Sequence, residues 1–174
     1  REYRANHRRA VAGLSTGGYG ALMYSARHQG VFRFAASFSG YGSALLPGVP
    51  EILMNGLPGS GLEKFRMWGS PTINRNIWLE HDPIHQAEKL RGTPLFISSA
   101  RNGSKGPLDP PTAQAIDPAE AFIWYTMEPL LARLAELDIP VNTHIYDKGT
   151  HSWVYWEDGL HRAWPLIMDA IKAT

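Results

Sequence analysis

A serine set between two glycines directly after an apolar run, in Gly13-Leu14-Ser15-Thr16-Gly17, is the pattern that exposes a nucleophilic hydroxyl on a sharp turn. A serine hydroxyl is a weak nucleophile until a base accepts its proton as it attacks. The imidazole that does so needs a carboxylate behind it to fix its tautomer and stabilise the imidazolium. In this type of turn the chain order is nucleophile, acid, base. Of the seven histidines, His151 is the best placed to be the base, because Asp147-Lys148-Gly149-Thr150-His151 leaves the end of a strand pattern. His7 precedes the first strand, His28 ends a helix, His144 is mid-strand and His161 lies in the last helix. Asp109, Asp117, Glu120 and Glu128 all lie where the acid belongs, and pattern alone does not choose among them. His81 and His85 are four apart, but Pro83 between them and the absence of an HExxH pattern argue against a metal pair.

The elements around these residues must bring them together. Arg8-Arg9-Ala10-Val11-Ala12 reads as a short buried strand, and Gly18 to His28 reads as a helix. Gly13 and Gly17 are expected where a Cβ would collide with the neighbouring strand or helix, and Gly18 where the helix packs close beneath the sheet. The backbone N–H of Thr16, at the start of that helix, is the first oxyanion donor to name. Phe32 to Gly40 and Thr93 to Ala100 have the short apolar runs of buried parallel strands. Between them, Tyr41 to Gly69 is rich in Gly and Pro and reads as a surface excursion or lid, and Asp82 should cap a short helix opened by Pro83. Loops at the carboxyl ends of parallel strands carry function, so the acid is sought in the loop from Arg101 to Pro118.

Ile123, Met127, Leu130, Leu134 and Leu137 recur at spacings of four and three, which predicts an amphipathic helix over 120–137, kinked or restarted at Pro129. Pro140 to Tyr146 is the next strand. Leu160, Trp164, Ile167 and Ile171 predict a closing helix, kinked or split at Pro165. The alternation of strand and helix without internal repeat predicts an α/β fold with a mostly parallel sheet.

With 174 residues, 44% of them hydrophobic and 19% charged, the chain has one domain's length and a globular composition. No apolar run approaches the ~20 residues of a membrane helix. The formal charge is +1, and no basic stripe extends beyond Arg1 to Arg9, which argues against nucleic acid as a partner. The absence of cysteine excludes disulfides and thiolate metal sites.

The elbow from Ala12 to Gly18, Trp68-Gly69, the stretch from Asn76 to Pro83, Pro118-Ala119-Glu120 and above all Gly149-Thr150-His151-Ser152-Trp153-Val154-Tyr155-Trp156 resemble the mycolyltransferases of the antigen 85 complex and the related esterase D type family. The resemblance implies an α/β-hydrolase fold and a serine esterase or acyltransferase that needs no cofactor. It assigns catalytic roles to Ser15, Glu120 and His151, with Glu128 as fallback for the acid, and a substrate contact to Trp153. It implies an ester, acyl-lipid or glycolipid substrate and export to the cell envelope. The elbow stands at position 15, whereas several strands precede it in this fold, so the chain is expected to be the C-terminal portion of a longer catalytic domain. The alternative from another class is a non-catalytic relative that uses the fold to bind carbohydrate or a matrix protein.

Overall fold

A computed structural model describes residues 7–55 and 66–172. Four parallel strands, β1 (Arg9–Leu14), β2 (Phe32–Phe38), β3 (Leu95–Ala100) and β4 (Val141–Tyr146), form one sheet in that spatial order. Leu14 pairs with Phe38, Phe38 with Ser98, and Ala100 with Tyr146, so all four strands finish at one rim. Helix α1 (Thr16–Arg27) carries the chain from β1 to β2. Between β2 and β3 lie α2 (Val49–Asn55), α3 (Arg75–Glu80), α4 (Pro83–Gln86) and a 3-10 turn at Ala87–Leu90. Helix α5 (Pro118–Glu136) joins β3 to β4, and α6 (Trp153–Ile171) follows β4.

Side chains alternate across a strand, and β2 and β3 use both faces. Ala35, Leu95 and Ile97 meet Leu22 of α1, Leu90 of the 3-10 turn and Met127, Leu130 and Leu134 of α5. Phe34, Ala36, Phe38 and Phe96 point the other way, onto Trp156, Ala163 and Ile167 of α6. The result is a parallel sheet between two helical layers, as the apolar runs predict.

The elements differ from the sequence expectation in four places. Strand β1 runs from Arg9 to Leu14 and none of it is fully buried, because among the described residues it is an edge strand. Helices α5 and α6 run through Pro129 and Pro165 without the restart or split that was one of the two outcomes expected at each. A proline frees the carbonyl four residues back, here at Tyr125 and His161, and both residues are exposed to water. The buried face of α6 is Tyr155, Trp156, Gly159, Ala163 and Ile167, while Leu160 and Trp164 are exposed. Gly159 and Ala163 take the middle of that face because the helix comes so close there that a Cβ on Gly159 would lie 2.8 Å from Ser98 Oγ. Lastly, the segment after β2 is no simple surface excursion, since residues 41–44, Val49 and Pro50 are buried. Its residues 56–65, Leu57 among them, and Arg1 to Asn6 of the basic run lie outside the described residues.

Candidate active site

Strand β1 ends at Leu14 and α1 begins at Thr16, so Ser15 alone reverses the chain direction. Its φ of 53° and ψ of −125° are strained for a residue with a Cβ, a conformation that costs about 1–3 kcal/mol. Three backbone hydrogen bonds hold it there: Ser15 N–H donates to Phe38 C=O (2.9 Å), and Ser15 C=O accepts from the N–H groups of Gly18 (2.9 Å) and Tyr19 (3.2 Å). A Cβ on Gly13 would stand 2.1 Å from the Gly17 carbonyl oxygen, and one on Gly18 would stand 2.9 Å from Gly40 Cα. Gly17 departs from expectation, since a Cβ there meets nothing within 4 Å among the described residues. The crowding is at Gly13, over which the α1 backbone passes. Thr16 is exposed, and its N–H, the first of α1, has no partner among the described residues.

His151, in the loop between β4 and α6, places Nε2 2.8 Å from Ser15 Oγ and Nδ1 2.8 Å from Glu120 Oε2. Because a carboxylate can only accept, Nδ1 carries the proton and Nε2 is left to accept from the serine hydroxyl. Glu120 stands in the first turn of α5, two residues past the loop in which the acid was sought, and it is fully buried. Its other oxygen, Oε1, accepts from Ser39 Oγ (3.0 Å), Ser99 Oγ (3.1 Å) and Ala100 N–H (2.8 Å). Four donors thus compensate a carboxylate taken wholly out of water. Each of the four strand ends contributes: Ser15 after β1, Ser39 after β2, Ser99 and Ala100 closing β3, His151 after β4.

Of the four acidic candidates, Glu120 is the one that bonds the imidazole. Asp109 accepts hydrogen bonds from the Thr150 hydroxyl, Tyr155 OH (3.0 Å) and Gly106 N–H (2.8 Å). Asp117 caps α5 through Ala119 N–H (2.9 Å) and accepts the backbone N–H of His151 (2.8 Å). Glu128 is exposed farther along α5, in a groove with Arg101 and Trp124. Ser39 and Ser99 escaped the sequence reading. The signal for them is a small polar residue at the carboxyl end of each apolar run.

Asp82 caps α4 as expected, through His85 N–H (3.1 Å), but it is also fully buried and binds Ser43 Oγ (2.6 Å), Ala44 N–H (2.6 Å) and His85 Nδ1 (2.6 Å). It therefore ties the segment leaving β2 to α4. His81 is engaged elsewhere, with Arg27 Nη1 (2.6 Å) and the Ile77 carbonyl (2.7 Å).

Ser15, Thr16 and His151 open on a cleft of about 320 Å³ walled by Ile52, Leu53, Met67 and Phe122. Tyr41 lines it as well and stacks on Tyr19 at 4.3 Å. Burial pushes both phenols well above the usual range, so both are neutral. Trp153 does not line this cleft. Largely exposed, it lines a neighbouring apolar groove of about 420 Å³ with Leu14, Phe38, Trp156 and Leu160. Trp156 connects the two, meeting His151 edge-on at 5.0 Å and Trp153 at 5.2 Å.

The Esterase family model, described as "Putative esterase", matches residues 1–167. The chain belongs to this esterase family. Its sequence is 38% identical over 89 residues to the MPT51 antigen of Mycobacterium leprae, covering 47% of the chain and 27% of that protein. It is 29% identical to the diacylglycerol acyltransferase/mycolyltransferase Ag85B of M. leprae over 172 residues, covering 94% of the chain and 50% of that protein. The crystal structure of M. tuberculosis MPT51 (FbpC1) superposes with a TM-score of 0.72 at 24% identity, over 94% of the chain and 60% of that structure. The antigen 85 and esterase D resemblance and the α/β-hydrolase fold expected from the sequence both hold. This esterase-family chain spans no more than half the length of the curated relatives named here.

Proposed function

We propose that the protein is a serine esterase or acyltransferase working through an acyl-serine intermediate. The supporting observation is the pair of 2.8 Å hydrogen bonds that link Ser15 to His151 and His151 to Glu120 at the mouth of an apolar cleft. Ser15 Oγ attacks the ester carbonyl while its proton passes to His151 Nε2. Glu120 holds Nδ1–H and stabilises the imidazolium, and Thr16 N–H faces the developing oxyanion. The ester C–O bond then breaks, and the proton on Nε2 leaves with the departing alcohol. Water or an acceptor hydroxyl attacks the acyl-serine in the reverse sequence, with His151 again as base. The walls of the cleft suit the apolar acyl group of an ester or acyl lipid, and Trp153, on the far side of Trp156, is the contact for the acceptor. By resemblance to the family, the protein is secreted or held at the cell envelope.

A fluorophosphonate probe tests the reading in the full-length protein. Labelling that disappears in Ser15→Ala supports it, and folded protein that takes no label would favour a module that only binds.

A further inference from the structure

We propose that Asp117 and Asp109 are positioning residues that set where His151 stands, an inference that rests on reading His151 as the base. The imidazole hangs from an irregular loop between β4 and α6, and a base displaced by about 1 Å loses on the order of 10²-fold in rate. Something must hold that loop. Asp117 Oδ2 accepts the backbone N–H of His151 itself, while Oδ1 of the same carboxylate caps α5 through Ala119 N–H. Glu120 is in that first turn of α5, so one side chain fixes the backbone of the base to the helix bearing its carboxylate partner. From the adjoining side Asp109 takes the hydroxyl of Thr150, the residue just before the histidine, and anchors it to Tyr155 of α6.

Both aspartates belong to the excursion between β3 and α5, which is itself closed at its base. Asp117 N–H donates to Gly103 C=O (2.8 Å) and Lys105 N–H to Ala115 C=O (2.9 Å). Its tip presses on the histidine loop so closely that a Cβ on Gly106 would lie 2.4 Å from the Lys148 carbonyl oxygen. The excursion therefore braces the histidine from two directions with charge-assisted hydrogen bonds.

Asp117→Ser separates positioning from capping, because serine keeps one oxygen for the α5 cap and has none left for His151. In the full-length protein three quantities are measured: the rate of fluorophosphonate labelling, the thermal midpoint, and the far-downfield proton resonance of His151 Nδ1–H. In Asp117→Ser labelling should slow about tenfold or more and the resonance broaden or vanish, with the midpoint close to the parent's. Asp117→Asn keeps a single acceptor, its carbonyl oxygen, which turned to His151 N–H should recover part of the rate while the amide group facing Ala119 N–H weakens the α5 cap and lowers the thermal midpoint. Thr150→Val, which removes the hydroxyl that Asp109 holds, should act in the same direction and serves if the serine variant fails to fold. A parental labelling rate with the resonance intact in both Asp117→Ser and Thr150→Val overturns the proposal. If the parent takes no label at all, the acyl-transfer reading fails instead, and the resonance alone decides whether the aspartates position the ring.

Discussion

Glu120 does two things with its two oxygens. Oε2 receives the imidazole N–H, and Oε1 gathers the hydroxyls of Ser39 and Ser99 and the amide of Ala100. All four neighbours are donors, so the residue must be an acceptor on both sides, a demand that a carboxylate meets and a carboxamide cannot. In Glu120→Gln the NH2 must face either the imidazole or the three donors of the strand ends. Facing the imidazole, it forces the wrong tautomer and leaves Nε2 protonated against Ser15. Facing the strand ends, it sets donor against donor in a buried site. Labelling of Ser15 by a fluorophosphonate should therefore slow by on the order of 10³–10⁴-fold, the scale on which losing the orienting carboxylate acts. Stability should fall by about 1–3 kcal/mol for the unsatisfied buried groups. A rate within tenfold of the parent, measured on folded protein, would remove Glu120 from the proposed mechanism.

At the scale of elements, the two ends of the elbow glycine pair make opposite demands. Gly13→Ala drives a Cβ into the α1 backbone and cannot be relieved by a rotamer change, so it should destabilise by about 3 kcal/mol or more. Gly17→Ala meets nothing within 4 Å among the described residues and should stay within about 0.5 kcal/mol of the parent. Denaturant titration of the two variants checks this, and equal losses would mean that the elbow is not built as described. The elbow was legible because its glycines, serine and flanking apolar run are contiguous. The strands β2 and β3 were legible as short apolar runs, and the buried face of α5 by its spacing of four and three. The face of α6 was not: Leu160 and Trp164 fit a helical stripe, and only the tight approach to Phe38 and Ser98 hands that face to Gly159 and Ala163. The carboxylate that pairs with His151 was not legible from pattern either. Asp109, Asp117, Glu120 and Glu128 were all candidates after β3, and what separates Glu120 from the rest is a set of donors from strand ends 81 and 21 residues distant in the chain. Resemblance to a family supplied the residue, while the local residue pattern left it open.

Across the whole molecule, four buried or half-buried tyrosines lie around the site: Tyr19 and Tyr41 beneath the cleft, and Tyr146 and Tyr155 stacked at 5.0 Å beside the histidine loop. Burial raises all four phenols above the ordinary value, and for Tyr155 burial followed by the hydrogen bond to Asp109 brings it up to about 12. A phenol in the unfolded chain releases its proton near pH 10. The folded state therefore holds more protons than the unfolded one above that pH, and stability must fall as pH rises. The contribution of these residues is complete below about pH 10, and that of Tyr155 declines through about pH 12. Denaturation midpoints followed from neutrality upward should stay level with respect to these groups and then drop steeply past pH 10. Phenolate absorbance from the four should rise together with loss of the fold and not before it, because ionising any one of them in place would put a charge against the core or against Asp109. Fluorophosphonate labelling should fail in the same interval, since the cleft floor and the histidine loop both rest on these rings. Full phenolate absorbance in a protein that keeps its fold would show that the tyrosines are far less enclosed than their packing indicates.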